Sequence, residues 1–254
     1  MSSQKKTKIN KLMQRWPKNT VAVYPWLKKF GIYRQLAEKY VESGWIERVG
    51  RGAFKKEGDR LNWFGGIYTL QTHLDMTVHP AGKTALQLQG KAHYLPANFK
   101  QLKVEFFGGQ NEKLPVWFKD YEWEIEIRYV MTGLFGKEKK LGLSEYDTGN
   151  FEIKISSPER AILELCYDVP GQETFDELDK IMESLVTLRP SLVQELLENC
   201  SSVKSKRLFM YYAEKNEHPW VEKIDLTRVD LGKGKRSLCK NGRYNRKYKI
   251  VVPE

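Results

Sequence analysis

The chain has 254 residues, 41% hydrophobic and 30% charged, with a formal net charge of +11, a composition that fits one large or two modest folded domains and excludes a low-complexity chain. No run approaches the ~20 apolar residues of a membrane span, and the basic start MSSQKKTKINK is followed by no signal-like apolar stretch, so a cytoplasmic protein without membrane contact is expected. The charge is divided: residues 1–60 hold 15 Lys+Arg against 5 Asp+Glu, residues 61–199 hold 14 against 21, and residues 200–254 hold 14 against 6, which confines any nucleic-acid contact to part of the molecule.

Lys8 to Trp16 reads as an amphipathic helix with Ile9, Leu12, Met13 and Trp16 on one face, ended by Pro17. Asn19-Thr20 offers the N-cap of a second helix, with Val23, Trp26, Leu27 and Phe30 as its buried stripe and Pro25 in the first turn. Gly31 makes a turn into a third helix, Ile32 to Ser43, where Ile32, Leu36, Ala37, Tyr40 and Val41 share one face and Tyr33, Arg34, Gln35, Glu38, Lys39 and Glu42 the other. Gly44 stops that helix. Trp45 to Val49 then reads as a strand that turns at Gly50-Arg51-Gly52 into Ala53-Phe54-Lys55. Three helices and a basic hairpin within residues 1–60 make a winged helix-turn-helix, and Glu57 to Leu61 is read as the connector to a second domain, 61–254.

In this reading Tyr33, Arg34, Gln35 and Lys39 face a DNA major groove. Arg and Lys suit guanine, Gln suits adenine, and Tyr33 suits a phosphate. Arg51, at the wing tip, is the candidate for backbone or minor-groove contact, with Arg48, Lys55 and Lys56 as phosphate neighbours.

The second part reads as a mixed α/β domain, so the fold class is α+β. Trp63 to Leu74 carries helical spacing, and Gly82-Lys83-Thr84 is not a phosphate loop, because the first glycine of GxxxxGK[ST] would fall on Thr77. Leu102 to Phe106 and Tyr121 to Val130 alternate apolar and polar residues as half-buried strands do, and Glu122, Glu124 and Glu126 are read as one solvated strand face. Phe151 to Ile155 is a further strand, and Ser157-Pro158-Glu159 starts a helix. Three more apolar stripes come after it, within 175–185, 192–197 and 203–212. Asp230 to Arg236 is a glycine-spaced basic loop, and Tyr248 to Val252 a closing strand.

Cys166, Cys200 and Cys239 are odd in number and far apart, and His73, His79, His93 and His218 have no ligand spacing, so neither disulfide nor metal nor cofactor is expected. With no paired carboxylate motif such as DxD, an enzyme is not expected either.

Four separated blocks carry a family resemblance: Ser43-Gly44-Trp45-Ile46 through Gly52-Ala53-Phe54; His79-Pro80-Ala81-Gly82-Lys83-Thr84-Ala85-Leu86 with Gly90-Lys91-Ala92-His93-Tyr94-Leu95; Ser157-Pro158-Glu159-Arg160-Ala161; and Leu231-Gly232-Lys233-Gly234-Lys235-Arg236. In that order, over nearly the whole chain, they resemble the AbiEi antitoxins of bacterial type IV toxin–antitoxin systems, which act in abortive infection against phage. The resemblance implies an N-terminal winged helix that binds promoter inverted repeats and represses its own operon. It also implies a C-terminal domain that antagonises a cognate nucleotidyltransferase-like toxin without a stable complex. Lys83, Thr84, His93, Lys204, Arg207, Lys233, Lys235 and Arg236 are then the candidate antitoxin surface, while Arg160 is read as a structural ion-pair partner. The +8 tail, with Lys206 among its cations, offers instead a surface for an acidic partner or nucleic acid. A winged-helix regulator with a ligand- or partner-sensing second domain, or an enzyme targeted by a winged helix, are the competing readings.

Overall fold

A computed structural model describes residues 7–92, 103–136 and 138–253. The first helix, α1 (Lys8–Arg15), is capped by the Thr7 hydroxyl, which accepts from the Asn10 amide, and it buries Ile9 and Leu12. The expected second helix is shorter than its apolar stripe. Asn19 has a left-handed φ of 61° and does not cap a helix, and the chain first runs as a two-residue strand, β1 (Ala22–Val23), before α2 (Tyr24–Lys28), with Pro25 in its first turn. The reason is tertiary: Ala22 and Val23 pair with Phe54 and Ala53 of the hairpin. Then come α3 (Arg34–Glu42), ended at Gly44 with φ 68°, and the hairpin strands β2 (Ile46–Gly50) and β3 (Ala53–Lys56), giving the sheet order β1-β3-β2 of a winged helix.

The remainder mixes small sheets with helices. After α4 (Trp63–Thr72), β4 (His79–Pro80) and α5 (Gly82–Leu88), strand β5 (Lys103–Gly109) lies between β4, antiparallel, and β6 (Glu126–Thr132), parallel. The crossover between β5 and β6 carries the short helix α6 (Val116–Asp120). Alternation misleads at Tyr121 to Ile125, which is not strand: Glu124 has φ 57°, and Trp123 turns inward, its indole N–H donating to the Phe118 carbonyl at 2.7 Å. The antiparallel pair β7 (Leu143–Asp147) and β8 (Glu152–Ser156) leads into α7 (Pro158–Asp168). Helices α8 (Phe175–Ser184), α9 (Pro190–Asn199) and α10 (Val203–Lys215) pack around α7 through Leu165, Leu178, Met182, Leu196 and Phe209. The chain closes as a sheet of β9 (Arg236–Ser237), β10 (Arg243–Asn245) and β11 (Ile250–Val252), with β11 central.

The winged helix is not isolated from the rest of the chain. Its own core is Leu12, Trp16, Leu27, Ile32, Ala37, Ile46 and Phe54, but Val21, Val23 and Ala53 belong to a second cluster with Trp63, Ile67, Trp117 and Trp123. The Thr69 hydroxyl accepts from the Val21 amide at 3.1 Å and lies 2.7 Å from the Val21 carbonyl. Helix α4 fits between the two parts because it carries Gly65 and Gly66 in succession. A Cβ at Gly65 would overlap the Asn19 carbonyl, and one at Gly66 would sit 2.6 Å from the Trp123 ring.

Candidate nucleic-acid interface

Ile32, just before helix α3, and Ala37 within it are buried, with Leu36, Tyr40 and Val41 half-buried, so Tyr33, Arg34, Gln35 and Lys39 stand in water. Tyr33 is 62% exposed, unusual for a large ring on a small domain. None of these four side chains has a hydrogen-bond or ion-pair partner among the described residues. Tyr33 is the N-cap, no side chain caps the helix and its first turn has no acid, leaving the amide end of α3 open to an anion. The turn that aims the helix is fixed by Lys8, whose ammonium donates to the Gly31 carbonyl at 2.9 Å, and by Gly31 at φ 68°.

Arg51 is exposed at the hairpin tip, also without a partner among the described residues. The tip is held from two sides: the Tyr24 amide donates to the Gly52 carbonyl at 3.1 Å, and Gly50 lies so close to α6 that a Cβ there would be 2.9 Å from that of Trp117. The other three wing cations are occupied within the fold. Arg48 is ion-paired with Glu38, which also accepts from the Tyr24 hydroxyl at 3.2 Å, so this pair ties α3 to β2 and α2. Lys55 pairs with Glu47 at 2.9 Å and donates to the Asp59 carbonyl; its hydrogen bond, with that of the Gly58 amide, holds the Glu47 carboxyl below the usual range. Lys56 donates to the Met13 carbonyl at 3.3 Å beside the Trp16 ring, and burial pulls its pKa down. These three brace the wing, whereas Tyr33, Arg34, Gln35, Lys39 and Arg51 have no partner among the described residues.

The residues singled out in the second part divide similarly. His93 lies outside the described residues. Thr84 is buried, its hydroxyl accepting from the Glu105 amide at 2.8 Å, and Lys83 is ion-paired with Glu177. Lys204 donates to the Tyr167 and Val169 carbonyls, both at 2.6 Å, at the end of α7. Arg207 is 1% exposed: its guanidinium donates to the carbonyls of Leu231 and Gly234 at 2.6 Å and of Lys249 at 3.2 Å, so it is a clamp beneath the basic loop rather than part of a surface. Lys206 is buried as well. Lys233, Lys235 and Arg236 are exposed.

The sequence matches the family model of the AbiEi antitoxin N-terminal domain over residues 5–97, and that of the AbiEi antitoxin, a transcriptional regulator of type IV toxin–antitoxin systems, over residues 101–253. The chain belongs to the AbiEi antitoxin family. Its AbiEi fold is similar to the crystal structure of the RV2827C protein from Mycobacterium tuberculosis, with a TM-score of 0.57 and 12% identity over 96% of this chain and 89% of that one. Among curated proteins nothing matches. No helix among the described residues of this AbiEi chain is long and apolar enough to cross a membrane, and no group of three or more His, Cys, Asp and Glu residues among them is placed to hold a metal.

Two of the resembling blocks of AbiEi meet in the core around a residue to which the sequence alone gives no role. Glu164, fully buried on α7, accepts from Arg160 Nε at 2.7 Å, the Ser156 hydroxyl at 2.7 Å and the Gly82 amide at 3.0 Å, and lies 3.2 Å from His79 Nε2. Arg160 also donates to the carbonyls of Lys139 and Leu141, which confirms it as a structural partner. Burial alone would raise the Glu164 pKa, but Arg160 and His79 outweigh it and hold the group at about 2. A sequence signal existed: Arg160 and Glu164 stand four apart, the spacing of a helical ion pair, among Ala161, Ile162, Leu163 and Leu165.

Proposed function

We propose that this chain represses its own operon by binding promoter inverted repeats through the α3 face and the wing tip, and that it neutralises a nucleotidyltransferase-like toxin, without a stable complex, through residues 61–254, in which Lys233, Lys235 and Arg236 form the antitoxin surface. Residues 1–60 supply the DNA contact in this division of labour. The observation that carries the DNA half is the unpartnered row Tyr33, Arg34, Gln35 and Lys39 beside an unpartnered Arg51, in a winged helix whose other basic side chains on the wing are internally paired. A merely solvated helix needs neither an open amide end nor an uncompensated cation at the tip of the neighbouring hairpin.

The test is a mobility-shift titration with the promoter of the chain's own operon, at several salt concentrations. Arg34→Ala is expected to lose about 1–3 kcal/mol of discrimination at one base pair. Arg51→Ala should weaken all sequences alike and reduce the slope of log affinity against log salt by about 0.9. Operator affinity and selectivity unchanged in Arg34→Ala would remove α3 from the interface. For the antitoxin half, the full chain is co-expressed with the product of the adjacent gene and growth is scored. Reversing Lys233, Lys235 and Arg236 to Glu should abolish rescue while operator binding persists; undiminished rescue would move antitoxicity elsewhere.

A further inference from the structure

Residues 232–253 contain eight Lys and Arg and no Asp or Glu. They form the closing sheet, and its two faces differ. Ile250 and Val252 of β11 are buried in the main core. Val251, between them, is also buried but by alternation faces the other way, and its register partners are Ser237 on β9 and Tyr244 on β10. Tyr244 therefore lies on the outer face, 41% exposed, with the Lys235 ammonium 4.9 Å from its ring centroid. Arg236 and Arg243 are the register partners of Ile250 and Val252 and so lie on the opposite face, while Lys233, Lys240 and Arg246 belong to the loops that flank the strands. None of these is ion-paired among the described residues; of the eight cations only Lys247 is, with Glu214.

Such an arrangement repels itself and is kept in place by the fold. The Arg207 clamp fixes the carbonyls of Leu231, Gly234 and Lys249, and Tyr248 is anchored by its hydroxyl donating to Glu214 at 2.6 Å. An exposed aromatic ring with Lys235 against it is thus presented on a fixed backbone within an uncompensated basic segment. A duplex would use the charge but leave the ring idle, since its bases are stacked on each other. An unpaired strand uses both, with phosphates on the cations and an unstacked base on the tyrosine.

We infer that the outer face of the closing sheet, Tyr244 with Lys235 against its ring, binds single-stranded nucleic acid within the field of the surrounding basic segment. The inference does not rest on the toxin-neutralising role proposed for the same surface, and it is read by direct binding rather than by growth. The full chain is titrated against a fluorescein-labelled oligouridylate of about 12 nucleotides, the matching oligothymidylate, and a duplex without operator sequence, a length that suits one such face. Both single strands should bind more tightly than the duplex, and the Arg34→Ala/Arg51→Ala chain should bind them unchanged. A preference for the RNA strand would add recognition of the 2′-hydroxyl to the same site; equal affinity would restrict recognition to base and phosphate, and either result supports it. Tyr244→Leu should weaken single-strand binding about tenfold at unchanged melting temperature. Lys235→Ser should lower the salt slope by about 0.7, for one lost phosphate contact. Full affinity in Tyr244→Leu, or a duplex bound as tightly as the strands, would overturn the inference.

Discussion

Glu164→Ala is expected to lower the unfolding free energy by about 3–5 kcal/mol, the cost of leaving buried charge without its partner. The substitution takes the acceptor away from Arg160, from the Ser156 hydroxyl and from the Gly82 amide at once, in a place that water does not reach. It also releases the start of α5 from α7, because the Gly82 amide is at the first turn of the one and Glu164 is in the middle of the other. Urea denaturation followed by tryptophan fluorescence measures it; a loss below about 1 kcal/mol would mean that the site rehydrates. The same group predicts an acid limb. Its folded pKa of about 2 lies below the ordinary 4.5, so its contribution is complete above pH 4.5 and fades as the pH falls toward 2. At neutral pH the difference corresponds to about 3 kcal/mol, of the same order as the mutational estimate. Between pH 4.5 and 2 the stability of the natural chain should therefore drop more steeply than that of Glu164→Ala, and parallel curves would contradict the assignment.

Gly65→Ala is the second large effect. One methyl group would overlap the Asn19 carbonyl oxygen, and both partners are backbone, on α4 and on the segment that enters β1, so neither can swing aside. Overpacking of this kind costs about 1–3 kcal/mol, and more where no side chain can yield. The strain falls on the seam where the Thr69 hydroxyl meets the Val21 main chain and the Asn19 amide donates to Asp59 at 2.7 Å. Operator binding should suffer together with stability, although the substitution is in neither α3 nor the wing. Melting temperature and mobility shift on the same preparation test this; a stable variant with unimpaired DNA affinity would show that the seam relaxes cheaply. The equivalent substitution at Gly66 meets the Trp123 and Phe118 rings instead and tests the other side of α4.

The features legible in the sequence are those that depend on near neighbours. Helix α3 announces itself by periodicity and by Gly44, and the wing by Gly50 and Gly52 around Arg51, because each needs only a few residues to be recognised. The exposed row on α3 comes from the same periodicity. The entry to α2 is not legible, because β1 exists only by pairing with β3, some thirty residues on. The strand expected from Tyr121 fails because alternation there comes from an aromatic cluster: Trp123 packs on Phe118 and Tyr121, with centroids 5.0 and 4.5 Å apart. Charge is the least legible feature. Arg48, Lys55 and Arg207 look alike in sequence to Arg34 and Lys235, yet only the fold shows their partners, Glu38, Glu47 and the Leu231 carbonyl.

The shared core has a consequence for how this protein disappears from a cell. Val21, Val23 and Ala53 of the winged helix are covered by Trp63, Ile67 and Trp117 of the second part, so a proteolytic cut between residues 57 and 61 would not leave two working pieces. Each fragment would expose the apolar surface that the other had covered, and each would become a substrate for further degradation. Under the proposed division of roles, degradation begun between residues 57 and 61 would end DNA binding and toxin neutralisation together, making the lifetime of the intact polypeptide the single quantity on which both depend.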